Sequence, residues 1–365
     1  MARGCQSFLF AGSVLAAASM AVMVNAQTGS PIAHKTAEQA YKNIQVLKDT
    51  PADRLFPAMQ FMTASLGVRC EHCHVEHAFE KDDKEAKKTA RQMMQMMFAL
   101  NHGTFSGKRE VTCYSCHRGS LKPETIPAVA AEGQASREAA PPEQSGSGHD
   151  VLEKYLQASG SSALLKVTSE IADGTADLGP GVQFPVELYA KAPGKRRFVL
   201  HFPNGDSAEI ANGESGWMLN PGRPVQDMNA DELFASRMDA DPRLPATLRS
   251  FFSEIKSEAS EQIDGRAVDV LSGSSPGQAP VRLYFDKQSG LLVRLTRYID
   301  SPFGLNPTQI DYSDYREVGG VKVAFSWVVA RPQGRFTVRL DRVQFNVPVD
   351  DSKFAKPEQA QAAPN

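Results

Sequence analysis

The chain has 365 residues, 41% of them hydrophobic and 22% charged, which is room for two ordinary domains and a globular rather than a disordered composition. A net charge of −2 with no basic stripe leaves no electrostatic case for a nucleic-acid partner.

Residues 1–30 read "MARGCQSFLFAGSVLAAASMAVMVNAQTGS". Arg3 gives a short basic start, Phe8 to Val24 an apolar run, and Val24-Asn25-Ala26 a small-residue cleavage site. This is the pattern of a cleavable signal peptide over residues 1–26, so the mature chain is expected in the periplasm, with membrane association as the variant if the leader is retained. Cys5 precedes the apolar run, whereas a lipid-anchor cysteine would follow it. Once Cys5 leaves with the leader, the cysteines that remain are Cys70, Cys73, Cys113 and Cys116. An oxidising compartment does not keep four free thiols without a use for them.

Residues 27–123 form the first expected domain, helical in character. "KTAEQAYKNIQVL" sets Ala40, Ile44 and Leu47 at helical spacing, and "RLFPAMQFMTASL" predicts a second helix stopped by Gly67. "KDDKEAKKTARQMMQMMFALN" predicts a longer one, charged at its start, Met-rich at its end and closed by His102-Gly103. Residues 124–147, rich in Ala, Pro, Glu, Ser and Gly, read as a flexible linker. A short amphipathic helix, "VLEKYLQAS", then opens a domain over residues 148–357. From about Leu165 apolar and polar residues alternate between turn signals, with "DKQSG" and "VGG" as hairpin turns. "NADELFASRMDADPRLPATLRSFFSEIKS" interrupts the strands as one or two helices, and "FAKPEQAQAAPN" is expected to fray, with residues 358–365 as a disordered tail. The fold class is therefore an α domain followed by an α+β domain built on antiparallel sheet.

The chemistry lies in "VRCEHCHVEH" and "EVTCYSCHRG", each holding a Cys-x-x-Cys-His. A dithiol redox centre needs one such pair at a strand-to-helix junction, and here two stand in a helical region. A zinc site made from both pairs would not need a histidine after each second cysteine. Covalent haem uses every position: two thioethers from the cysteines and a proximal ligand from His74 or His117. Two haem c groups are therefore expected, on Cys70 and Cys73 and on Cys113 and Cys116. For the sixth ligand, Met59 and Met62 compete at the first site and Met93, Met94, Met96 and Met97 at the second. Most of these methionines are expected to be adaptable packing around a large cofactor. Arg69, Lys108, Arg109 and Arg118 flank the motifs as propionate partners or as plain surface charge.

"MQFMTASLGVRCEHCH" and "TARQMMQMMFALN…VTCYSCHRG" resemble haem-binding segments of the photosynthetic reaction-centre cytochrome c subunit family, over about residues 38–123. The resemblance implies Met59/His74 and Met93/His117 as the axial pairs, with His102 the alternative at the second site. It departs from the family in haem number, two instead of four, and does not establish a photosynthetic role. "FDKQSGLLVRLTRY", "IDYSDYREVGGVKVAFSW" and "FTVRLDRVQFNVPVDDSKF" resemble lipoprotein-carrier and lipoprotein-sorting domains. That implies a curved half-barrel sheet with helices on its concave face. Together these readings give a periplasmic dihaem electron carrier and not an enzyme, serving a redox-protein donor and acceptor. Docking to lipid or to a membrane protein falls to the C-terminal domain. The alternatives are a dihaem peroxidase-like enzyme or haem redox sensor, which need an open iron position, and a lipid or lipoprotein carrier, which needs a large apolar cavity.

Overall fold

The computed structural model describes residues 35–123, 144–332 and 334–357. The expected leader, most of the expected linker and the tail 358–365 lie outside the described residues.

The helical region holds α1 (Ala37–Ala40), α2 (Ala52–Leu66), α3 (Glu85–Thr104) and α4 (Cys113–His117). The expected first helix ends after one turn. Tyr41 is extended at φ −130° and Asn43 takes a left-handed φ of +57°, where its side-chain amide donates to Asp82 at 2.9 Å. Asparagine tolerates that conformation because its short polar group bonds locally, and the contact takes the chain off the helical path. α2 ends where expected: Gly67 adopts φ +65° and its N–H returns to the Thr63 carbonyl. α3 runs on through His102-Gly103 to Thr104.

The C-terminal region opens with α5 (Gly148–Ala158) and α6 (Ser161–Leu164). Next come β1 (Ser169–Asp177), β2 (Gln183–Lys191), β3 (Lys195–Phe202), β4 (Gly205–Asn212), β5 (Ser215–Leu219) and β6 (Gln226–Asp227). α7 (Ala230–Ala240) and α8 (Leu244–Thr247) interrupt the strands, as the sequence pattern predicts. The chain then forms β7 (Glu254–Ser257), β8 (Glu261–Ile263), β9 (Arg266–Ser274), β10 (Val281–Asp286) and β11 (Leu292–Ser301). It closes with β12 (Gly304–Val318), β13 (Val321–Arg331) and β14 (Gly334–Phe345).

One open antiparallel sheet results, ordered β6-β5-β4-β3-β2-β1-β14-β13-β12-β11-β10-β9-β7, with β8 beside β9. Two meanders thus meet where the first strand pairs with the last. Both expected hairpin turns form. Asp286 Oδ1 accepts from the Gln288 and Ser289 amides at 3.1 and 2.6 Å, and Gly319 and Gly320 supply φ values of +57° and +83°. α5, α7 and the segment after α8 bring Val151, Tyr155, Met238, Leu248 and Phe252 onto Leu271, Leu283, Phe285 and Leu295 of the sheet. That packing fills this part of the sheet's inner face with side chains.

Two ends expected to be loose are held. Residues 144–147, assigned to the linker, lie against the sheet: the Ser145 amide donates to the Glu258 carbonyl at 3.1 Å and its Oγ accepts from the Val270 amide at 2.7 Å. Phe354 is fully buried.

Candidate functional site

Each Cys-x-x-Cys-His folds as one helical turn. In the first, Cys70–His72 is a 3₁₀ turn and the His74 amide donates to the Cys70 carbonyl at 3.0 Å. In the second, α4 spans the whole pentapeptide, and the Thr112 amide donates to Ser115 Oγ at 3.0 Å. A single turn puts residues three apart on one face. Cys70 and Cys73 form one such pair, Cys113 and Cys116 the other, all four as free thiols. Burial pushes the Cys73 and Cys113 thiols up from their ordinary range.

The histidines repeat a second feature. His74 Nδ1 lies 3.0 Å from the Phe79 carbonyl, and His117 Nδ1 lies 3.0 Å from the Ser120 carbonyl. A carbonyl only accepts, so Nδ1 carries a proton in both rings, and Nε2 is the nitrogen left without a protein partner in these contacts. This is the arrangement by which a ligating imidazole is oriented and made more basic. Burial, against the Phe79 hydrogen bond and with the charges of Lys87, Arg91 and Lys84, lowers the His74 pKa and favours the neutral ring. The acceptors come from the turn after each motif. Arg118 and Gly119 take φ values of +48° and +84°, bringing the Ser120 carbonyl back under His117.

Neighbouring elements brace the motifs. Lys87, buried, donates to the carbonyls of Phe79 and Lys81 at 2.9 and 2.7 Å and pairs with Asp82 at 3.0 Å. Arg91, Asn43 and Lys87 hold the Asp82 carboxyl well below the usual carboxylate range. Asn101, near the end of α3, fixes the approach to the second motif. Its Nδ2 donates to the Val111 carbonyl at 2.7 Å and its Oδ1 accepts from the Val111 amide at 2.9 Å. Sequence reasoning missed Asn101; the signal was a polar residue on the apolar face of an otherwise Met-rich helix end. The C-terminus of α2 touches the second motif directly. The Gly119 amide donates to the Ser65 carbonyl at 2.9 Å, and a Cβ on Gly67 would lie 2.1 Å from the Gly119 oxygen.

The methionines divide. Met62, Met94 and Met97 are buried in one cluster with Leu47, Ala58 and Phe303. Met59 lies half-buried at its edge, while Met93 and Met96 stand 42% and 56% exposed on α3. His72, His77 and His102 are exposed. Arg109 points away from a propionate role: it pairs with Asp300 of the β-domain at 2.7 Å. Among the described residues no three His, Cys, Asp or Glu side chains converge as one metal site. Two cysteines on one face, an imidazole whose Nδ1 is committed to a backbone carbonyl and open apolar surface around them fit a covalently attached haem in each motif.

Residues 12–171 match the family model described as the photosynthetic reaction centre cytochrome C subunit, and over that region the chain is similar to that family. The matching subunit of Thermochromatium tepidum is 34% identical over 92 residues, covering 24% of this chain and 23% of its own length. That of Roseobacter denitrificans is 34% identical over 100 residues, covering 25% of this chain and 27% of its own length. The chain thus spans about a quarter of the length of these curated relatives. Among solved structures, a LolA superfamily protein from Nitrosomonas europaea aligns with 58% of this chain and 98% of its own, at 14% identity and a TM-score of 0.41. So loose a likeness carries no argument by itself; the open sheet and its strand order carry the fold class.

Among the described residues no helix is long and apolar enough to cross a membrane. Of the cavities, a cleft of about 310 Å³ lies between the regions, lined by Thr50, Arg54, Asp231, Asp300 and Ser301 among others. A second, of about 300 Å³, runs along Thr168, Lys191 and Asn346.

Proposed function

We propose that this chain is an exported c-type cytochrome that carries electrons between redox proteins through two covalently attached haem c groups. The observation that carries the reading is the repeated histidine geometry. In both motifs Nδ1–H is committed to a backbone carbonyl and Nε2 is free beside a one-turn cysteine pair. Similarity to the reaction-centre cytochrome c subunit supports the same class.

When bound, haem supplies a one-electron iron couple whose potential the axial ligands set. Cys70 and Cys73, and Cys113 and Cys116, would hold the two groups by thioether bonds, and His74 and His117 would each supply a nitrogen ligand. Met59 of α2 and Met93 of α3 would each supply a thioether ligand. Ligands from the protein on both sides would leave no position for substrate and would suit outer-sphere transfer. The sequence leader and the use of every remaining cysteine in the motifs support a periplasmic setting. The β-domain acts as a docking module. Side-chain packing against its inner strands favours a protein partner over carriage of an acyl chain.

A second reading, an enzyme or sensor with one open iron position, has one observation in its favour: Met93 stands exposed and not packed. Carbon monoxide separates the two. The ferrous protein, produced with cytochrome c maturation machinery, is expected to bind almost none; uptake by one haem of the two would replace the carrier by the enzyme or sensor.

A further inference from the structure

The β11–β12 turn reaches out of the sheet into the helical region. Its residue Phe303 is fully buried, not among the strands but between α2 and α3. Its ring stacks on Phe98 with centroids 5.9 Å apart and an interplanar angle of 29°. Met62, Met94 and Met97 share its buried cluster with Leu47 and Ala58, and Met59 and Cys113 pack against that cluster.

The turn is built to hold that ring in place. Ser301, buried, donates from Oγ to the Gly304 carbonyl at 2.7 Å and accepts from the Gly304 amide at 3.2 Å. Gly304, at φ +155°, lies so close to α2 that a Cβ would sit 2.5 Å from the Phe61 ring. Around it, Asn306 Nδ2 donates to the Pro57 carbonyl at 2.7 Å. Arg54 donates to the Asp300 carbonyl at 3.2 Å, and Arg109, four residues before Cys113, pairs with the Asp300 carboxylate.

We infer that Phe303 is a positioning residue for the haem ligands, supplied by the β-domain to the helical one. It fixes the spacing of α2 and α3 by filling the space between their methionines, and so sets where the Met59 thioether stands. The buried methionines around it, Met62, Met94 and Met97, are thereby committed to packing. A loose, flexible methionine cluster would otherwise offer the iron several thioethers of similar reach. This inference rests on the dihaem reading above.

The test uses the full chain loaded with haem, and compares wild type with Phe303→Ala, Phe303→Leu and Val199→Ala. Val199 is buried in a separate cluster on β3 and β4, so its variant loosens the β-domain without touching the turn. The readouts are covalent haem count, the far-red charge-transfer band of Met-ligated ferric haem, and the fraction of ferrous protein that takes up carbon monoxide. Phe303→Ala is expected to keep two haems, weaken the band and raise carbon monoxide uptake by about fivefold or more, the factor by which about 1 kcal/mol shifts an equilibrium. Phe303→Leu should shift the band the same way by less, and Val199→Ala should leave it unmoved. An unchanged band and uptake in Phe303→Ala would overturn the inference, as would an equal effect in Val199→Ala. If the alanine variant does not accumulate, Phe303→Leu decides: a shifted band supports the inference and an unchanged one overturns it. A wild-type chain without covalent haem would fail the parent reading as well, and the haem count tells that result apart.

Discussion

The two halves of the molecule treat their apolar surface differently. Eight of the twelve large apolar side chains left open to solvent among the described residues lie within positions 41–121, Phe56, Phe79, Met93, Met96 and Tyr114 among them. The β-domain, more than twice as long, leaves only four, and buries Phe285, Leu271, Leu283 and Leu295 almost completely. Exposed apolar side chains at that density are surface that a bound cofactor or partner would cover. The sheet completes its own core, whereas the helical region is short of one and borrows Phe303 from its neighbour. A large flat apolar cofactor in each motif would make up the rest.

The sharpest way to break this comparison is to withhold the cofactor. Expressed without haem attachment, the chain should lose most of the ellipticity of α2 and α3 while the sheet keeps its signal and its cooperative melt. Retention of the full helical signal by the haem-free chain would mean that the helical region needs no cofactor to fold. Next in size is Phe285→Ala, in the core of the β-domain. It should lower the stability of that domain by about 3–5 kcal/mol in a denaturant melt, the usual cost of emptying a buried aromatic site, with the haem count unchanged at two. A third variant, Gly67→Ala, probes the contact between α2 and the second motif. The left-handed conformation alone costs about 1–2 kcal/mol for a residue with a Cβ, and the close Gly119 oxygen adds to it. Its destabilisation should appear in the haem absorption and not in the sheet signal.

A further effect expected is a pH dependence confined to the sheet. Glu170, on β1, lies in register with Ala190 of β2, which is opposite Arg196 of β3. Burial, opposed by the Arg196 charge, pushes its carboxyl from 4.5 up to about 7. The folded chain therefore keeps a proton that the unfolded chain has already released. Stability from this group is present in full below pH 4.5 and falls as pH rises towards about 7. Glu170→Gln should flatten the stability of the β-domain across that window; an unaltered slope would assign the dependence elsewhere.

Much of this was legible in the sequence, for reasons that particular residues make plain. Strict spacing announced both cysteine-histidine motifs, Gly67 announced the end of α2, and alternation with "DKQSG" and "VGG" announced the hairpins. The failures share a physical cause, which is that distant contacts overrode local pattern. Asn43 breaks the first expected helix because Asp82, 39 positions away, holds its side chain. Ser145 and Phe354, read as linker and fraying tail, are fixed by the sheet edge and core. Phe303 in a turn gives no local sign that its partners are Met62 and Met97. The Nδ1 contacts of His74 and His117 depend on turns that follow the motifs, which spacing within the pentapeptides does not encode.

The central claim is that each motif holds its own covalent haem, and intact mass of the chain produced with the maturation machinery tests it most directly. Wild type should carry the mass of two haems, and Cys70→Ser/Cys73→Ser and Cys113→Ser/Cys116→Ser should each carry one. A wild-type chain at the mass of the polypeptide alone, or a double variant that still carries two, would contradict the account.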